Sequence, residues 1–206
     1  GGYMKVIDII DLTAKLLNEF DVKNCVSYCK KNNMTITNLF NCEGLELDYY
    51  NEQSIKDLRL ILDTINIVLI KIATENRPIV VEEEVTSKSG KIAIDTLSQK
   101  LFKIKEISCG GIKQNYSISD GNILVSDGIY TIKYAIIPTE LDFESSFNDY
   151  YGKLSLLTVC YGVCSYYTLI KGMYDESDMW KEKFENALNQ NFAKLGGIYV
   201  KSRRWF

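Results

Sequence analysis

The stretch SIKDLRLILDTINIVLIKIATENRPIVVEEEV, Ser54 to Val85, changes its hydrophobic period in mid-course, and that change decides the fold. Ile55, Leu58, Leu62, Ile65, Leu69 and Ile72 recur at steps of three and four, the repeat of one helix face. Ile61 and Val68 form a second stripe that meets the first at Ile72. The spacing therefore predicts a helix from about Ser54 to Thr74, buried on more than half its circumference. Asn76, Arg77 and Pro78 end it, because the proline ring disfavours the helical conformation in the residue before it. Beyond Pro78 the period falls to two. Ile79, Val81 and Val85 are interleaved with Glu82 and Glu84, the pattern of a strand with one wet face.

Towards the N-terminus, Val6, Ile9, Ile10, Leu12, Leu16, Leu17 and Phe20 predict one amphipathic helix, with loops at Asn32-Asn33 and around Asn41 to Gly44. Towards the C-terminus the strand pattern continues. Ser89-Gly90 offers a turn, Ile92 and Ile94 extend the alternation, and Phe102 and Ile104 begin a strand that ends near Cys109-Gly110-Gly111. Two Asp-Gly pairs, Asp120-Gly121 and Asp127-Gly128, supply the positive φ angles that tight hairpins need. They predict an antiparallel meander through Tyr116 to Ile118, Ile123 to Val125 and Ile129 to Ile136. Tyr130, Ile132, Tyr134 and Ile136 share one face of its last strand, which Pro138 ends.

Helical spacing returns after the acidic linker of Glu140, Asp142 and Glu144. One helix is expected from about Phe147 to Ile170, stopped by Lys171-Gly172. Asp175 is the expected cap of the next, whose Trp180, Phe184, Leu188 and Phe192 repeat every four residues until Gly196-Gly197 breaks it. The two helical parts must each bury an apolar face, and the simplest solution packs them together. The fold class expected is α+β: a helical bundle built from N- and C-terminal helices, with an inserted small antiparallel β meander. The parts are residues 4–77, a β-rich insert at 78–146, and a C-terminal helical hairpin with a docking tail at 147–206.

The 206 residues suffice for one domain with a good core, or one domain with an insert, and the formal net charge of −3 argues against a nucleic-acid binder. Gly1-Gly2-Tyr3 precede a candidate native start at Met4, or follow a processed initiator methionine. The apolar pattern after Met4 is interrupted by Asp8 and Asp11, so no signal peptide is expected. Leu154 to Ile170 is uncharged, but it carries Ser155, Thr158, Gly162, Ser165 and Thr168 and falls short of the ~20 residues of a membrane span. A helix buried inside a protein assembly is expected there, and no membrane partner.

Six cysteines stand in a chain without histidine. Cys25/Cys29 and Cys160/Cys164 are four apart, which is not the spacing of a zinc site, so reduced packing thiols are expected. Without histidine the commonest general base near neutral pH is missing, and neither Gly110-Gly111 nor Gly196-Gly197 makes a phosphate loop. Glu82 to Glu84 read as a solvated strand edge, and Asp175, Glu176 and Asp178 as acidic residues that offset a helix dipole. No catalytic residue, cofactor or metal is expected. A competing reading is an enzyme with Cys109 as nucleophile beside Gly110-Gly111.

The final residues, Lys201-Ser202-Arg203-Arg204-Trp205-Phe206, are unlike an ordinary terminus. Arg and Trp are the side chains most enriched in binding hot spots, and two bulky aromatics in water need cover. They either fold back on their own core or dock on a partner. The candidate partner-binding residues are Tyr199, Arg203, Arg204, Trp205 and Phe206.

The segment YGVCSYYTLIKGMYDESDMWKEKFENAL, Tyr161 to Leu188, resembles a pattern in tailed-bacteriophage head–tail adaptor (connector) proteins. The matching positions are Gly162, Tyr166, Gly172, Asp175, Glu176, Trp180, Phe184, Arg203, Arg204 and Trp205. GIYTIKYAIIP, Gly128 to Pro138, is similar to the family's Gly-x-Tyr-x-x-x-Tyr strand, and the segment through Asn76 and Pro78 to the end of its second helix. Cys160 and Cys164 depart from it where alanine is expected, and the Asn-rich region from Asn24 to Asn51 matches nothing in it. The resemblance implies a structural virion protein of the neck, not an enzyme. It implies self-association in a ring, commonly a dodecamer, and contact with the portal protein and with neck or tail-terminator proteins. Double-stranded DNA would pass through the lumen without sequence-specific binding. The alternative is a standalone binding module, or another tail or neck component, that recognises its partner through the β unit; in a binding module Tyr130 and Tyr134 would be exposed.

Overall fold

Ile9, Ile10 and Ala14 lie on one fully buried stripe of the first helix, α1 (Val6–Leu17). Asn18 ends α1 in the left-handed conformation at φ +57°, its N–H on the Ala14 carbonyl. Phe20 is therefore not the last residue of that stripe, as the spacing predicted. It opens α2 (Phe20–Lys31) and is 66% exposed. The computed structural model describes residues 3–42, 47–148 and 154–192.

α2 turns Val22, Cys25, Val26 and Cys29 inward, and Asn32-Asn33 form the expected turn with Asn33 at φ +49°. In α3 (Ile36–Phe40) the Thr35 side chain caps the start by accepting from Asn38 N–H. The Glu144 carboxylate accepts from the Thr37 N–H and hydroxyl at 3.2 and 3.0 Å, so the acidic linker anchors this short helix. α4 (Glu52–Lys71) starts where Asn51 and Ser54 cap each other reciprocally. Leu58, Ile61, Ile65, Val68, Leu69 and Ile72 are buried along it. Its last turn, Ile72–Asn76, widens to a π-helix closed by Arg77 N–H on the Ile72 carbonyl, and Pro78 follows.

The chain divides into two compact units: residues 1–65 with 141–206, and residues 66–140. In the first, a two-stranded antiparallel ribbon joins β1 (Tyr3–Lys5) to β9 (Ser146–Asn148). Phe147, expected to open a helix, is thus a strand residue, opposite Met4. The helix α5 (Leu156–Ile170) starts only after Ser155, whose Oγ accepts from Thr158 N–H. α5 is the most buried helix, with Val159, Cys160, Val163, Cys164 and Tyr167 fully covered. α1 lies on one side of it and α6 (Tyr174–Phe192) runs back along another. Tyr161 stacks on Trp180 with ring centroids 5.8 Å apart, and the Ser165 and Ser177 hydroxyls each reach the other's carbonyl. Trp180, Phe184 and Leu188 are buried, as their spacing predicts. Asp175 stands inside the first turn of α6 and not at its cap.

In the second unit, β8 (Gly128–Ile136) is the middle of a four-stranded antiparallel sheet of order β2-β8-β4-β5. β2 (Ile79–Ser87) pairs with it in unbroken register from Ile79↔Ile136 to Ser87↔Gly128. β4 (Leu101–Cys109) pairs on the other side with register shifts at Phe102 and Lys105, and β5 (Ile112–Lys113) adds a short edge. A three-stranded sheet joins β3 (Lys91–Ala93), β7 (Asn122–Leu124) and β6 (Ser117–Ser119). Tyr130, Ile132, Tyr134 and Ile136, on one face of β8 as predicted, pack with Ile92, Leu97, Ile104, Ile107 and Ile123 in this unit's own core.

The first Asp-Gly pair makes the expected β6–β7 hairpin, with Asp120 and Gly121 at φ +49° and +73°. The second does not make a hairpin, because β7 and β8 belong to different sheets. There the Asp127 carboxylate accepts from Gly90 N–H at 2.6 Å and holds the β2–β3 turn. Ile94 leaves the strand pattern for a 3₁₀ turn, Ile94–Thr96. The architecture is α+β, with its strands in antiparallel sheets.

Candidate interaction surfaces

Gly172 lets α5 stop sharply. At φ +79° it places Met173 N–H on the Thr168 carbonyl and its own N–H on that of Leu169. The residues around this stop are apolar and outward-facing. Leu169, Ile170, Met173 and Tyr174 are 45, 54, 37 and 67% exposed. A shallow recess of about 390 Å³ is lined by Gly172, Met173, Tyr174, Asp175 and Glu176.

Two long-range polar contacts fix this tip. The Tyr167 hydroxyl donates to Glu19 at 2.7 Å, and Lys171 Nζ donates to Asp57 at 2.5 Å. Burial, then the Glu19 carboxylate, pushes the Tyr167 phenol well above its ordinary range. The Glu19 contact also brings the exposed Phe20 to the same end of the unit. An apolar group of this kind on an otherwise filled bundle is the usual signature of a contact surface.

In the β unit, Tyr130 and Tyr134 are 4 and 0% exposed. Their face is closed by the unit's own core, which corrects the exposure that the binding-module reading required. The Tyr134 hydroxyl donates to Glu83 at 3.1 Å, and Ser98 N–H donates to the same carboxylate. Glu83 is thereby a structural acceptor on the inner face of β2, while Glu82 and Glu84 stand on the exposed face. A cleft of about 620 Å³ runs beside Asp95, Ser98, Lys100, Asp120 and Asn122.

All six cysteines are free thiols. Cys25, Cys29, Cys160 and Cys164 are fully buried; burial raises Cys25 and Cys29 to about 11, Cys160 to about 12, and Cys164 likewise upward. They stay protonated at neutral pH and behave as small apolar side chains. Cys109 is half-buried at the end of β4, beside Gly110 and Gly111 at φ +55° and +79°. Among the described residues no group of three or more His, Cys, Asp or Glu side chains could hold a metal ion. Among them, too, no helix is long and apolar enough to cross a membrane.

The candidate partner-binding residues Tyr199, Arg203, Arg204, Trp205 and Phe206 lie outside the described residues. Sequence reading missed the Tyr167–Glu19 and Lys171–Asp57 contacts, whose partners are 148 and 114 positions apart. The only signal was the pair Tyr166-Tyr167 and a single lysine, Lys171, at the end of an otherwise uncharged run. The chain matches no model of a known protein family, and no curated protein matches it.

Proposed function

We propose that this protein is a structural virion component, a head–tail adaptor of a tailed bacteriophage. It forms a ring between the portal and the tail and extends the DNA channel. The observation that carries the reading is the α5–α6 hairpin. Gly162, Tyr166, Gly172, Asp175, Glu176, Trp180 and Phe184, the positions that resemble the adaptor pattern, all lie on it or in its turn. The hairpin has a closed inner seam and an apolar, exposed tip, as an element that meets other subunits requires. The tail from Tyr199 to Phe206 supplies a second, basic-aromatic contact segment to the portal or a neighbouring copy. The modest negative net charge suits a conduit through which DNA slides, since a cation-rich lumen would retain phosphates.

Deleting Arg203 to Phe206 tests the reading. The truncated chain is expected to fold with unchanged circular dichroism while particle joining is lost. Normal joining would refute the role of the tail. Absence of the protein from purified virions would refute the assignment altogether.

A further inference from the structure

β2 is an edge strand of unusual openness. It pairs with β8 through all nine of its residues without a bulge, and among the described residues no strand lies on its other side. Alternate N–H and C=O groups of Ile79 to Thr86 therefore face outward and can receive an added strand. The other side of the same sheet is built differently: β4 is bulged at Phe102 and Lys105 in its pairing with β8, and β5 covers its end at Ser108 and Cys109.

The exposed face shows which strand would fit. Across one row, Glu82, Lys133 and Glu106 are direct neighbours in register, so their charges alternate from β2 to β8 to β4. The Lys133–Glu82 ion pair is closed at 3.3 Å. Two residues along, Glu84 faces Thr131 and has no ion-pair partner among the described residues. Continuing the alternation past β2 calls for a strand with cations two residues apart. The C-terminal segment GGIYVKSRRWF, residues 196–206, has that pattern. Ile198-Tyr199-Val200 favours strand, and Lys201 and Arg203 alternate with Ser202.

We propose that the outer edge of β2 receives residues 198–204 of a second copy of this chain as an added strand. Lys201 and Arg203 then lie beside Glu82 and Glu84. The inference rests on the reading of the tail as a docking segment, and it names the acceptor. The contact is heterologous, tail of one copy to edge of the next, so its repetition builds a ring or an open filament.

The test is self-association of the full chain, followed by sedimentation velocity over a concentration series. Concentration-dependent association is expected, weakening with added salt. The variant Glu82→Lys with Glu84→Lys is expected to weaken it roughly tenfold, because cross-strand charge pairs become like-charge pairs. Adding Lys201→Glu and Arg203→Glu to that variant restores association, which a merely misfolded edge would not allow. The milder Glu82→Gln with Glu84→Gln weakens association less and keeps the fold, as its circular dichroism checks. A monomer at every concentration overturns the proposal. So does a reversed-charge variant that associates normally, or a double reversal that does not restore. If the truncation lacking Arg203 to Phe206 abolishes particle joining while these variants leave self-association unchanged, the adaptor reading stands and this edge contact falls.

Discussion

Raising the pH from 7.5 to 10 should destabilise this protein more than its surface charges would suggest, because of two thiols on α5. Cys160 and Cys164 are both 0% exposed, and Cys160 Sγ lies 3.7 Å from the Ile9 carbonyl on α1. Burial pushes Cys160 from its ordinary 9.0 up to about 12, and pushes Cys164 upward as well. These are acids raised on folding, so the stability they contribute is fully present below about pH 9 and is lost as the pH climbs from there towards 12. At pH 10 an unfolded thiol is mostly ionised while the folded one keeps its proton. That difference is worth about 1.4 kcal/mol per thiol, or about 3 kcal/mol for the pair. The assay is urea unfolding with a reductant at the two pH values, on the natural chain and on Cys160→Ala with Cys164→Ala. The double variant loses some stability at both pH values through lost packing. Its drop between pH 7.5 and pH 10 should nonetheless be smaller by about 3 kcal/mol. Equal drops in the two proteins, within about 1 kcal/mol, would mean that α5 is not sealed in the core of its unit.

Three further outcomes follow from other contacts. Lys171→Met removes the cation from the nearly buried Asp57 carboxylate, which Gln53 also reaches, and a loss of about 3 kcal/mol in denaturant unfolding is expected. Asp57→Asn added to that variant should recover part of the loss; no recovery would sink the ion-pair account. Phe184→Ala removes a side chain that is 2% exposed between α5 and α6 and should cost about 3 to 4 kcal/mol, with little change in the denaturant slope. Gly172→Ala meets no neighbouring atom, so its cost is conformational alone: about 1 kcal/mol for an alanine at φ +79°. A neutral result there would mean that the turn relaxes out of the left-handed region.

What sequence could reveal here was whatever a local pattern controls. The period change at Pro78, the inward face of β8 and the stop at Gly172 each depend on residues within a few positions, and each is where the pattern puts it. The misplaced boundaries share a cause: hydrophobic spacing ran on past a polar residue that redirects the chain. Phe20 kept the rhythm of α1, but Asn18 adopts the left-handed conformation easily and starts a new direction. Phe147 kept the rhythm of α5, but Ser155 is the cap, and the backbone before it pairs with the N-terminal strand. Asp127-Gly128 looked like a hairpin because an Asp-Gly pair reports a turn and not the sheet that its exits join. Of the interaction surfaces, the apolar content of the hairpin tip was visible in Leu169 to Tyr174. Its fixing by Glu19 and Asp57 was not, since charge pairing over more than a hundred positions leaves no periodic trace.

The two edges of the four-stranded sheet bear on function because they are protected by different means. A bulge makes an edge unreceptive to any strand, since the extra residue breaks the spacing of donors and acceptors for every partner alike. Charge does not. Glu82 and Glu84 leave the backbone groups of β2 in perfect spacing and repel only strands that are acidic, or apolar enough to leave the carboxylates unsolvated. A strand with cations at the same spacing is favoured by both its backbone and its side chains. A protein that needed only to avoid aggregation could have blunted both edges with bulges. One interrupted edge and one straight, acidic edge instead form a surface with a direction, and a direction is what separates assembly by repeated head-to-tail contact from symmetric pairing.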